Sequence, residues 1–172
     1  MNPPASFGRE DTFHFNSSIG WMWLAHPGEA LQELEQLTPE ARLNPDALEI
    51  EWWIHAESKQ WSAALKCAVK LAIQAPDRPS AWLNHAFSLR RAPGGSLLGA
   101  LEILSRALPQ FPSTALIPYN MACYLAQLGR LEEAWEALEK AKQVSSEPDT
   151  IHAMALRDED LIPLHPRLQG GA

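Results

Sequence analysis

Glu51 and His55 stand four residues apart, the spacing that sets two side chains on one face of a helix. A carboxylate beside an imidazole is the pair from which acid–base sites and borderline-metal sites are assembled. His85 falls on the corresponding helix of the next repeat unit, defined below, so these three residues form the one candidate for a metal or acid–base site. The remaining histidines, His14, His26, His152 and His165, follow no zinc-ligand spacing, and Cys67 and Cys123 lack the paired cysteines of zinc motifs. Cys123 is a second candidate, as a nucleophile activated by a nearby base. Its neighbours from Asn120 to Tyr124 are already explained by helix packing, which favours a small residue there. Gly94-Gly95 follows Pro93 with no flanking strand, so it reads as a turn and not as a phosphate loop. The Glu51, His55 and His85 group reads more simply as a polar cluster between neighbouring helices. No catalytic residue, metal ligand or cofactor is therefore assigned.

The elements that would hold these residues are announced by a period. Ala30-Leu31, Ala64-Leu65, Ala100-Leu101 and Ala134-Trp135 recur 34, 36 and 34 residues apart. Four residues after each alanine comes Leu34, Ala68, Leu104 or Leu138, and seven after comes Leu37, Leu71, Ala107 or Ala141. Apolar residues at i, i+4 and i+7 line one face of a helix. About five residues before each alanine lies a turn, at Ala25, Lys59, Gly95 and Gly129. A second amphipathic segment precedes each turn, centred on Trp21, Trp52, Ala86 and Ala122. Each unit is thus helix, short turn, helix. Pro45, Pro79 and Pro148 suit first helical turns, where the missing N–H costs nothing. Thr38-Pro39-Glu40-Ala41-Arg42 predicts an extra helical turn begun by a threonine cap.

The run Tyr119-Asn120-Met121-Ala122-Cys123-Tyr124-Leu125-Ala126-Gln127-Leu128-Gly129-Arg130-Leu131-Glu132-Glu133-Ala134 closely resembles the tetratricopeptide repeat. The other three units are looser but in phase, and the resemblance covers residues 11–146. It implies an all-α, right-handed solenoid of four helix-turn-helix repeats, at about 11–44, 45–78, 79–114 and 115–147. A capping helix is expected within 148–166, because a solenoid's last apolar face needs cover. Residues 1–10 and 167–172 are expected to be flexible ends. The tail from Arg157 through Asp158-Glu159-Asp160 to Leu164 is similar to one found in bacterial tetratricopeptide proteins.

At 172 residues one domain is expected, and an apolar fraction of 46% is that of an ordinary globular chain. The net charge of −7 argues against a nucleic-acid partner, since phosphate binding needs clustered Lys and Arg. No apolar run is long enough to span a membrane, and no signal peptide is visible, so a cytoplasmic protein is expected. Two cysteines in different units suit a reducing compartment.

By resemblance, the first helices of successive repeats line a concave surface. The expected partner-binding residues are Trp53, Leu83, Phe87, Arg90, Arg91, Leu116, Tyr119 and Gln127. One subtype of the family grips a C-terminal carboxylate with Lys and Asn on its first helices. Asn84 and Asn120 are present here, but Glu49 and Glu57 stand in place of lysines, so that clamp is rejected and the two asparagines are expected to bond across helix pairs. The resemblance implies a non-enzymatic adaptor or scaffold for a protein or peptide partner. A narrower reading by family analogy is a bacterial kinesin-light-chain-like protein on a cytoskeletal filament. The reading from a different class is a metal-binding or enzymatic protein using the His/Glu cluster.

Overall fold

The computed structural model describes residues 7–170, and within them every regular element is helical. Helices α1 (Arg9–Trp23), α2 (Pro27–Glu35), α3 (Pro45–Glu57), α4 (Trp61–Gln74), α5 (Pro79–Leu89), α6 (Leu97–Ala107), α7 (Leu116–Gln127) and α8 (Leu131–Val144) supply the four repeats in order. Helix α9 (Pro148–Ala155), a 3₁₀ segment (Glu159–Leu164) and α10 (His165–Leu168) complete the chain. It divides into two compact units at Gly94 and Gly95, within the lengthened turn of the third repeat. The first holds α1–α5 and the second α6–α10.

The period is a packing period. Ala30, Ala64, Ala100 and Ala134 are all 0% exposed, and the residues four and seven positions on are buried too. In the first unit Ala30, Leu34 and Leu37 pack with Met22, Ala47 and Ile54, while Leu71 and Ala75 pack with Leu48 and Ala81. Helix starts follow the sequence signals. Pro45, Pro79 and Pro148 open α3, α5 and α9, and Asn44 caps α3 by accepting from the Asp46 amide at 2.9 Å. Thr38 Oγ1 accepts from the Ala41 amide at the head of the 3₁₀ turn Ala41–Leu43. The buried Asp11 of α1 in turn accepts from both the amide and the hydroxyl of Thr38, at 2.8 and 3.0 Å.

Both ends carry more structure than expected. Residues 7–10 belong to the first repeat: Phe7 stacks on Phe15 at 4.6 Å, and the Gly8 carbonyl accepts the Thr12 amide. At the other end α10 runs to Leu168, whose side chain is buried, so the cap extends past residue 166. Residues 1–6 and 171–172 of the expected flexible ends lie outside the described residues.

Three of the four repeat turns share one backbone solution. Ala25, Lys59 and Gly129 adopt positive φ of 59°, 54° and 75°. The next amide then reaches back to the helix: His26 to Trp21 O, Gln60 to His55 O, Arg130 to Leu125 O, all at 2.8–2.9 Å. Only the last of these uses glycine, which takes this conformation without strain. Ala25→Gly is therefore expected to raise stability by about 0.5–1 kcal/mol, from the αL cost of a Cβ less the added entropy of the unfolded chain. An upward shift of the urea midpoint at unchanged slope checks it. In the third repeat positive φ occurs at Gly94, and Ser96 caps α6 by accepting from the Gly99 amide.

Candidate protein-interaction site

The first unit carries a cleft of about 390 Å³ built largely from aromatic rings. Trp52, Trp53, Ala56 and Glu57 of α3 form one wall. Lys59 in the turn, Trp61 at the start of α4, Phe87 of α5 and Arg91 just beyond it complete the cleft. The rings hold one another. Phe87 meets Trp52 and Trp61 edge-on, at 6.1 and 5.8 Å between centroids. The Trp52 indole N–H donates to Ser88 Oγ at 2.8 Å, and Ser88 is fully buried, which ties α3 to α5 beneath the cleft. The Arg91 guanidinium lies 3.4 Å over the Phe87 ring and 5.4 Å from Trp61, and Nη1 donates to the Phe87 carbonyl. Each such aromatic pair or cation–π contact contributes about 0.5–1.5 kcal/mol. Trp53 donates to Glu57 at 3.3 Å and meets Trp23 of α1 edge-on at 6.0 Å. Trp23 is 78% exposed, so the aromatic surface continues out of the cleft onto α1.

Such a surface can take up an apolar side chain from another protein with little ordering of its own, because its rings are already fixed. Glu57, Lys59 and Arg91 place both signs of charge at its edge. Among the expected partner-binding residues, Trp53, Phe87 and Arg91 meet here. Leu83 and Arg90 belong to α5 and its C-cap; both are half-buried and neither lines the cleft.

The other three expected residues lie on α7 in the second unit, and two are occupied from within the chain. Tyr119 is only 5% exposed and donates its hydroxyl to Asp158 Oδ2 at 2.9 Å. Burial, helped by the neighbouring Cys123 and Asp158, pushes its phenol well above the usual range. The Cys123 thiol is 3.5 Å from the same carboxylate oxygen, and Gln127 donates to Asp160. The segment Glu159–Leu164 thus lies along the face of α7 that the sequence offers to a partner. Tyr119 is corrected from a groove residue to a cap anchor. Leu116 stays open at 44% exposure, and Gln127, although bonded to Asp160, is exposed too. Asn120 also departs from expectation: its amide donates to Leu116 O within its own helix.

The polar cluster forms with a different third member. Ligand-type atoms of Glu51, His55 and Cys67 lie within 4.8 Å of one another, and His85 is outside the group. Desolvation lowers the pKa of His85.

No protein-family profile matches the sequence, and no curated protein matches it significantly. Solved structures do. A MamA fragment from Desulfovibrio magneticus RS-1 superposes with a TM-score of 0.72 at 20% identity, covering 96% of this chain and 93% of that one. A thermophilic TPR protein from Thermus thermophilus gives 0.66 at 18% identity, with 94% and 98% covered. MamA of strain AMB-1 gives 0.64 at 15%, with 93% and 90% covered. The chain has a tetratricopeptide-repeat fold. In repeat terms, α1, α3, α5 and α7 are first helices and α2, α4, α6 and α8 are second helices.

Sequence reasoning missed Trp61 because it starts a second helix, outside the first-helix positions that define the groove of tetratricopeptide arrays. Its signal was its place two residues after Lys59, at the mouth of the inter-helix turn. It missed the anchoring role of Asp158 because an acidic run reads as solvated surface. The signal there was the N-cap pattern: Asp158 accepts from the Asp160 amide at 3.0 Å and opens the 3₁₀ segment. Among the described residues no helix is long and apolar enough to cross a membrane.

Proposed function

We propose that this chain is a non-enzymatic scaffold that binds a protein partner through the aromatic cleft of its first unit. The observation that carries the reading is the fixed set of Trp52, Trp53, Trp61 and Phe87 rings with Arg91 stacked on Phe87. Tryptophan and arginine dominate the energetics of protein interfaces. The partner is a segment that presents an apolar anchor side chain, with its backbone or a carboxylate reaching the charged edge. The bacterial cytoplasm is the proposed setting. Both cysteines there are buried thiols, Cys67 on α4 and Cys123 on α7.

The test is a peptide library selected on the purified protein, followed by calorimetry of the best binder. Phe87→Ala removes the ring at the centre of the cleft and is expected to weaken binding roughly 30-fold, the loss of one hot spot of about 2 kcal/mol. Phe87 is half-buried, so a lower melting midpoint is expected too, and a native helical spectrum at the binding temperature is the control. Arg91→Glu is expected to weaken an acidic binder further, with the loss shrinking at high salt. Undiminished binding by folded Phe87→Ala overturns the assignment.

A further inference from the structure

The second repeat holds a donor set that the scaffold reading does not use. Glu51 and His55 come from α3 and Cys67 from α4. Their ligand-type atoms lie within 4.8 Å of one another, and His55 Nε2 is 3.9 Å from Glu51 Oε1. We propose that Glu51, His55 and Cys67 form a binding site for a divalent zinc-class cation, clamping α3 to α4.

The geometry supports this in three ways. The first is span. Ligand atoms on a tetrahedral zinc sit roughly 3.5 Å apart, given metal bonds of about 2.0–2.3 Å. From their present limit of 4.8 Å the three atoms need to close by about 1.3 Å, within the reach of side-chain torsions. The second is orientation. His55 Nδ1 lies 2.8 Å from Gln60 Oε1, and a carbonyl oxygen can only accept. With Nδ1 donating to that oxygen, Nε2, the nitrogen that faces Glu51, presents its lone pair to a cation. Zinc-bound histidines are held in this way by a hydrogen bond from the ring nitrogen that does not bind the metal. The third is chemistry. A thiolate, an imidazole and a carboxylate together prefer a borderline cation to calcium or magnesium, which take oxygen ligands. All three side chains are sheltered: His55 and Glu51 are 12% and 20% exposed, and Cys67 is buried. Three protein ligands leave a fourth position for water.

Cysteine binds a metal as its thiolate, so the cation displaces the Cys67 proton when it binds. The S–H bond breaks, the sulfur lone pair forms the S–metal bond, and the proton goes to buffer. Binding should therefore tighten as pH rises.

The test is titration of the reduced, metal-stripped full chain with cobalt(II), followed by zinc(II). The wild type is expected to show a thiolate-to-cobalt charge-transfer band that zinc abolishes, with one proton released per cation and a higher melting midpoint in zinc. Cys67→Ser is expected to lose the band, His55→Ala to bind at least tenfold more weakly, and Cys123→Ser to keep the band. Cys123 lies with Asp158 and Asp160 in the other acidic group, so it is the necessary control. No charge-transfer band in the wild type overturns the proposal, whatever the variants do. So does a band that survives Cys67→Ser or disappears with Cys123→Ser. None of these outcomes bears on peptide binding at the aromatic cleft, so the two readings fail separately.

Discussion

Deleting residues 148–172 is expected to unfold the second unit. The segment contributes Ile151 and Ala155 from α9, Leu161 and Leu164 from the 3₁₀ turn, and Leu168 from α10, all buried. Burying one large aliphatic side chain stabilises by about 1.5–3 kcal/mol, so the four large ones contribute roughly 6–12 kcal/mol. A domain is stable by only about 5–15 kcal/mol in all, so little folding free energy would remain. The loss has a polar part as well. Tyr119 is buried against Asp158, and without that carboxylate its hydroxyl loses its partner. The truncated chain should therefore show reduced helicity, bind a hydrophobic dye and elute as aggregate, because a bare repeat face is exposed apolar surface. A monomer that keeps the wild-type urea midpoint would refute the cap. The point substitution Leu161→Ala gives a milder version. This side chain is wholly buried, and its truncation is expected to cost about 2–5 kcal/mol.

The fold was legible because its signals are local and repeated. Each phased alanine is fully buried, and the i+4 and i+7 residues mark the same buried face. Pro45, Pro79 and Pro148 marked helix starts for a backbone reason that needs no tertiary knowledge. The site was legible only in part, because it depends on which side chains a second segment happens to cover. Trp53 and Phe87 were found by their register on first helices, and both line the cleft. Tyr119 lies on the corresponding face of α7, one turn earlier, yet it is bonded to Asp158, 39 residues later, and buried. Periodicity places a residue on a face of its helix and says nothing about what packs there. The third member of the polar cluster was misjudged for a related reason. His85 occupies the equivalent position one repeat on, but Cys67 sits across the shorter path, on the other helix of the same hairpin.

Ala134→Leu tests the repeat register itself. Ala134 is on α8, has no exposed surface, and is the fourth of the phased alanines. Its methyl group is the whole of its side chain, so close contact there leaves no room for an isobutyl group. Added methylenes in a packed site force neighbouring side chains off their rotamers or move the backbone, at about 1–3 kcal/mol. Leucine is as good a helix former as most residues, so intrinsic propensity explains little of any loss. Two residues along the same helix, Glu136 is exposed. Glu136→Leu makes a similarly large apolar change on the outer face and is expected to move stability by no more than about 0.5 kcal/mol. The contrast isolates packing from helix propensity and from added hydrophobicity. Urea melts of both variants against wild type measure it. Equal midpoints for the two variants would mean that Ala134 does not face the helix pair, and the same doubt would then attach to Ala30, Ala64 and Ala100. A loss confined to Ala134→Leu means that the period read from the sequence is the contact period of the folded chain.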